Sequence, residues 1–385
     1  MVQSTQAGAS YGLSLLWVII LANVLKYPFF EYGSRYANAT GESIIDGYKK
    51  LGNWALYLYI FVTLVTMFFV TATVGNVTGG FLQNLFGFPS LLWTNVGLFV
   101  VCAAILIIGK FKVLDSLVKI IGIVLLVSTI AAFIAALYQG PSGDTPLFSG
   151  DWFPQNIFLI ALMGWMPTAV DLSAWNSLWT VEKIKTTGYH PTLKETLFDF
   201  NFGYLASTVL AICFVTMGAF IIFGTDNSMG EGAAAFSNDV VNLYSSTLGA
   251  WSYLIIAAAA FSIMFGTAIA VFDGYGRAMT KSIQLAINPK NFNDTKYYRV
   301  ITILTMLGGF LVILFFQDSF KQLVTFTTVF SLIVAPVIAI LNTVLVQKKR
   351  IGDKAPKLWL RILSYAGILY LIIFSIYAVY LITLV

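Results

Sequence analysis

The sequence predicts an all-α polytopic membrane protein, a single domain over 1–385 with about ten transmembrane helices. Three observations carry that prediction. Of the 385 residues, 58% are hydrophobic and 10% are charged, whereas a soluble protein carries about 25% charge. Apolar runs of roughly 20 residues, long enough as helices to cross a hydrocarbon core, recur down the chain. Lysine and arginine are concentrated in alternate connections, the pattern that sorts loops between the two sides of a membrane.

In chain order the runs are Tyr11–Tyr32, Trp54–Asn76, Leu91–Ile108, Leu114–Tyr138, Ile157–Trp179, Phe202–Phe223, Ala250–Val271, Val300–Phe316, Leu323–Val346 and Ile362–Leu384. The connections are too short to hold a soluble domain. Arg35, Lys49 and Lys50 follow the first run, Lys110 and Lys112 the third, and Lys183, Lys185 and Lys194 the fifth. Arg277, Lys281, Lys290, Lys296 and Arg299 follow the seventh, and Lys348, Lys349, Arg350, Lys354 and Lys357 the ninth. The loops around Gly80–Ser90, Gly140–Pro154 and Thr225–Tyr244 contain no Lys or Arg, and the last two carry Asp144, Asp151, Asp226, Glu231 and Asp239. The basic set is therefore expected in the cytoplasm, which starts the chain on the external face of a cell membrane. Met1 to Ser10 reads as a residual external polar segment, without the basic region of a signal peptide, and an external start suggests a further helix upstream.

Several function classes drop out. The net charge of +5 follows the topology of the loops, so no nucleic-acid partner is expected. Cys102 and Cys213 lie inside predicted helices as small buried hydrophobes, and His190 is a loop residue, so zinc-site spacing is absent. No phosphate-binding glycine loop appears, and no nucleophile, base and orienting group assemble into an enzyme site. No cofactor is expected, and the lipid bilayer is an expected partner.

The informative segment is Ile157–Trp179, which Met166-Pro167 breaks near its midpoint, with Asp171 just beyond. Pro167 removes a backbone donor and disrupts the preceding turn, leaving carbonyls that hydrocarbon cannot satisfy. Half-helices meeting at membrane depth offer such carbonyls and their dipole ends to ions. Met166 adds a thioether, a soft ligand suited to late transition metals. The bland alternative is a proline kink with methionine as filler. Asp171 reads either as a cation partner or proton carrier, or as a structural helix-end contact. Lys26, Glu31 and Arg35 fall near the inner end of their helix, where they can reach the interface and where Glu31 and Arg35, one turn apart, can pair either structurally or as a gate; Asp273 and Arg277 repeat that spacing. Gly75, Gly79 and Gly80 are expected to allow close helix packing.

Together these residues resemble the natural resistance-associated macrophage protein (Nramp) family of divalent metal transporters. Gln6-Ala7-Gly8-Ala9-Ser10-Tyr11-Gly12 running into Leu15-Leu16-Trp17 is similar to the family's first external turn and second helix. Glu31-Tyr32-Gly33-Ser34-Arg35 with Thr40-Gly41 resembles the acidic and arginine motif ending that helix, Met166-Pro167 the break of the sixth helix, and Pro336 a proline of the tenth. The resemblance implies a LeuT-like inverted-repeat fold, with the runs standing for family helices two to eleven: 11–138 the remainder of the first repeat, 157–346 the second, 358–385 a final helix. The family's Asp-Pro-Gly-Asn break would fall immediately before Met1, so the chain is expected to lack the first half-helix.

The function implied is secondary transport of manganese or iron(II), ahead of magnesium because Met166 retains the soft ligand, by alternating access. Met166 aligns with the family's metal-binding methionine, Met163 with the alanine whose carbonyl is used, and Thr328 with a polar position of the tenth helix that can approach the metal. The histidines expected after the proline are absent in Thr168–Ser177, and Ala72 and Gly75 replace the acids of the third helix, so the usual proton route is missing, which leaves either uncoupled uptake or coupling through Asp171 and Glu31. The alternatives are a magnesium transporter of the same family, a sodium-coupled organic-solute transporter of the same fold, and a scaffold without transport.

Overall fold

The computed structural model describes residues 2–108, 123, 126–127, 129–154, 157–225, 230, 232–287, 292–317 and 319–383. Among these there are helices and connections but no strand. The helices are α1 (Val2–Tyr11), α2 (Leu16–Thr40), α3 (Ile44–Leu51), α4 (Asn53–Phe86), α5 (Leu91–Ile108) and α6 (Thr129–Gln139). After these come α7 (Ile157–Trp165), a 3₁₀ turn at Val170–Leu172, α8 (Ser173–Thr187), α9 (Leu193–Ile221), α10 (Ala233–Leu248) and α11 (Tyr253–Ile287). The remainder are α12 (Asp294–Phe315), α13 (Phe320–Leu345), the short α14 (Lys348–Ile351) and α15 (Leu358–Thr383).

Counting α7 and α8 as one interrupted segment, eight described segments are long and apolar enough to cross a membrane. Their outer faces are apolar too: Val100 and Val101 of α5, Leu304, Leu307 and Leu311 of α12, and Leu369, Ile373 and Ile376 of α15 are exposed. In water these faces would form patches far beyond what a monomer tolerates, whereas lipid covers them at no cost. The protein is thus a multi-pass membrane protein. About half of the expected span Leu114–Tyr138 lies outside the described residues, as do Lys110, Lys112, Lys290, Asp226 and Glu231.

Three sequence expectations need correction. Residues 2–11 are not a polar tail but helix α1, with Gln3, Ser4 and Thr5 buried. The small residues that made the stretch look featureless let it approach α9 closely: a Cβ on Gly8 would strike the Val215 carbonyl oxygen, and one on Gly218 the Thr5 carbonyl oxygen. The stretch Thr225–Tyr244, read as a loop, contains most of α10, which packs on α4 beside Gly80. Lys26 does not fall near the inner end of its helix; it is fully buried in mid-α2. The glycines of α4 behave as expected, since a Cβ on Gly75 would enter the Phe99 ring, one on Gly79 the Asn95 side chain, and one on Gly80 the Ala233 carbonyl.

The helices sort into two groups. In one, α2 packs on α8 and α9, and α9 also carries α1; in the other, α4 packs on α5, α10, α11 and α12. Helix α13 lies against α7, α4 and α15 and so bridges them.

Candidate functional site

The interruption between α7 and α8 organises the centre. Helix α7 stops at Trp165, and the chain is not helical again until Val170. Pro167 stands four residues after Met163 and has no N–H to return to the Met163 carbonyl, so the last turn of α7 ends in unpaired acceptors. Gly164 is required there because α7 lies directly on α13; a Cβ would strike the Thr328 carbonyl oxygen.

The ammonium of Lys26 takes up those acceptors. Its Nζ donates to the Met163 carbonyl at 2.6 Å and to the Gly164 carbonyl at 2.9 Å, with the side chain fully buried. The expected role of Met163 as a carbonyl ligand is therefore displaced, because that oxygen already accepts from the protein's own cation. Asp171 lies in the 3₁₀ turn beyond the break, buried, with Oδ2 accepting from Thr66 Oγ1 of α4 at 3.0 Å. Its Oδ1 is buried without a hydrogen-bond partner, and its charge acts on Lys26. The Thr66 bond crosses from one helix group to the other. Two further contacts close the same seam: Trp175 of α8 meets the Tyr275 ring of α11 edge-on at 4.8 Å, and Trp179 Nε1 donates to Asp273 Oδ2 at 3.2 Å.

On the other flank of the break is a cavity of about 310 Å³ between the two helix groups. Gln3, Met166 and Phe214 line it from one group, and Thr73, Val74 and Met264 from the other. Its lining contains no carboxylate, and neither Lys26, Met163, Asp171 nor Thr328 borders it. Gln3 is 5% exposed and its Oε1 has no hydrogen-bond partner. Ser4 Oγ donates to Met166 Sδ at 3.8 Å, so α1 meets the break directly. Among the described residues no three His, Cys, Asp or Glu gather as a metal cluster. An ion here would be held by the Met166 thioether and the Gln3 amide oxygen, a soft and a neutral donor.

The remaining candidates are accounted for structurally. The Thr328 hydroxyl is not turned to the cavity; it donates to the Val324 and Thr325 carbonyls of its own helix at 2.8 and 3.0 Å. Arg35 grips Glu31 with Nε at 3.0 and 2.9 Å and Nη2 at 2.5 Å, and Arg35 Nη1 donates to the Lys354 carbonyl at 2.6 Å. Glu31 is thereby fixed in a buried ion pair. Asp273 and Arg277 pair as the spacing implies, Arg277 Nε donating at 2.8 and 2.9 Å, with Tyr298 Oη donating to Asp273 at 2.7 Å.

Gln3, Ser4, Thr66 and the role of Lys26 were missed by sequence reasoning. Helix geometry held a clue to Lys26: ten residues into α2 it stands about 15 Å from the helix start, at membrane mid-depth, and on the opposite face from Arg35. No comparable signal marked Gln3 or Thr66.

The chain matches, over residues 1–381, the family described as natural resistance-associated macrophage protein-like. It is 33% identical over 384 residues to an uncharacterized protein of Pasteurella multocida, covering 97% of this chain and 87% of that one. Similarity extends at 21% identity over 406 residues to the divalent metal cation transporter MntH of Levilactobacillus brevis, covering 98% and 84%. Among solved structures, a mutant of the Eremococcus coleocola manganese transporter superposes with a TM-score of 0.68 at 12% identity, covering 97% of this chain and 81% of that one. MhsT in complex with L-phenylalanine superposes with a TM-score of 0.58 at 14% identity, covering 97% and 93%. These likenesses show the LeuT-like inverted-repeat transporter fold.

Proposed function

The chain belongs to the natural resistance-associated macrophage protein-like family, and on that premise we propose that it is a secondary transporter importing a divalent transition-metal ion, manganese or iron(II), by alternating access. Membership makes it a transporter and not an enzyme. The observation that carries the metal reading is Met166: its thioether borders the cavity at the helix break, joined there by the unpartnered Gln3 amide oxygen. A soft donor with a neutral oxygen suits manganese or iron(II) better than magnesium or calcium. Access alternates when α1, α2, α8 and α9 move against α4, α5, α11 and α12, opening the seam that Thr66–Asp171 and Trp175–Tyr275 hold shut.

The test is manganese uptake into proteoliposomes with calcium as competitor, comparing the native chain with Met166→Ala. The expected result is uptake whose preference for manganese over calcium falls in the variant. An unchanged preference would remove Met166 from the ligand set.

One observation favours a second reading. A cavity of about 310 Å³ with an apolar, carboxylate-free lining is roomy for a bare ion and of a size that takes a small uncharged organic solute. The same liposomes distinguish the two: flux of neutral amino acids or nucleobases without manganese flux would replace the metal as cargo.

A further inference from the structure

We propose that Lys26 is a tethered cation: its ammonium fills a carbonyl cradle at the helix break that would otherwise take a monovalent cation, so the protein works without one bound there. The proposal goes beyond the identity of the cargo, whose cavity lies on the other flank of the break.

The cradle is made by sequence and fold together. Pro167 deprives the Met163 carbonyl of its helical donor, and the end of α7 leaves the Gly164 carbonyl open as well. Both residues are buried, where an unpaired acceptor is costly. Carbonyls at the C-terminal end of a half-helix carry partial negative charge and select a cation. The Lys26 Nζ, at 2.6 and 2.9 Å, supplies them with a hydrogen-bond donor on a covalent stem.

Burial of an ammonium at mid-membrane is expensive, and an apolar residue at position 26 would be cheaper were the cradle not there to fill. Asp171 offsets the charge from the turn beyond the break, and its free Oδ1 leaves it one acceptor in reserve. The other groups around this pair are neutral polar side chains: Tyr48 of α3, Tyr59 and Thr66 of α4, and Tyr275 of α11. With both carbonyls already accepting from Lys26, a free sodium ion has no vacant carbonyl pair to bind.

Removing the ammonium exposes the cradle. Purified native protein, Lys26→Ala and Lys26→Met are compared in choline, lithium, sodium and potassium chloride at matched ionic strength, reading the tryptophan-fluorescence unfolding temperature and the binding of radioactive sodium. The native protein is expected to unfold at one temperature in all four salts and to bind no sodium saturably. The alanine variant is expected to lose stability in choline and regain it, saturably, in at least one inorganic cation. Recovery of either variant only from sodium- or potassium-containing extracts counts as the same result. Saturable sodium binding by the native protein, indifference of a folded variant to every cation, or failure of both variants to fold in any salt would each overturn the proposal. No divalent ion or organic solute is present, so the test stands if manganese proves not to be the cargo.

Discussion

Removing the Arg35 guanidinium should destabilise this protein severely, and the geometry sets how much. Glu31 and Arg35 side chains are 2% and 9% exposed, and the carboxylate has no hydrogen-bond partner other than Arg35 among the described residues. Arg35→Ala leaves a buried carboxylate with no counter-charge, a loss of about 3–5 kcal/mol for a buried pair. It also orphans the Lys354 carbonyl, which Arg35 Nη1 meets at 2.6 Å, adding roughly 1 kcal/mol. Neutralising the stranded partner should return much of this, so Glu31→Gln in the Arg35→Ala background is expected to recover about 2 kcal/mol, because a buried amide costs less than a buried charge. The assay is equilibrium unfolding in mixed micelles of mild detergent and SDS, read by tryptophan fluorescence, with uptake measured on the same preparations. An Arg35→Ala protein within about 1 kcal/mol of native, or a double variant no more stable than the single one, would refute the reasoning. A double variant that folds and transports also removes Glu31 from any coupling role, whereas one that folds but no longer acidifies liposomes with uptake would return Glu31 to it.

Gly218→Leu forces a side chain into the backbone of α1, and overpacking of this kind costs about 1–3 kcal/mol; since α1 carries Gln3 and Ser4, uptake should fall more than protein yield, and equal losses in both would make α1 a structural strut only. Thr66→Val removes the hydrogen bond that Asp171 makes across the seam, worth about 1.5–3 kcal/mol for a charged acceptor, or roughly ten- to a hundredfold in the balance between closed and open. Spin labels on Lys185 of α8 and Gln284 of α11 should report a wider separation in that variant, and an unchanged distance distribution would show that the bond does not hold the seam.

Much of the architecture was legible because it is dictated locally. Run lengths gave the start of α5 to the residue, and the missing N–H of Pro167 placed the end of α7. The Glu31–Arg35 and Asp273–Arg277 pairs follow from i,i+4 spacing alone. Position 1–10 misled because small and polar residues have no strong helical signature, and their helix is stabilised by the fit of Gly8 and Gly218 across two backbones. Thr328 could be placed on the helix facing the break, but whether its hydroxyl turns to a ligand or to the Val324 carbonyl is a rotamer choice made by packing.

The sequence by itself determined that this chain lies in a membrane, roughly where its long apolar helices run, and that one of them is broken at Met166-Pro167, since each depends on residues near one another in the chain and on what hydrocarbon will not solvate. The tertiary structure alone decided who answers the break. The Met163 carbonyl is satisfied by a lysine 137 residues away, and Asp171 by a threonine 105 residues away. Unpaired polar groups in a membrane interior must find partners, but which partner is a matter of how helices distant in sequence are laid side by side.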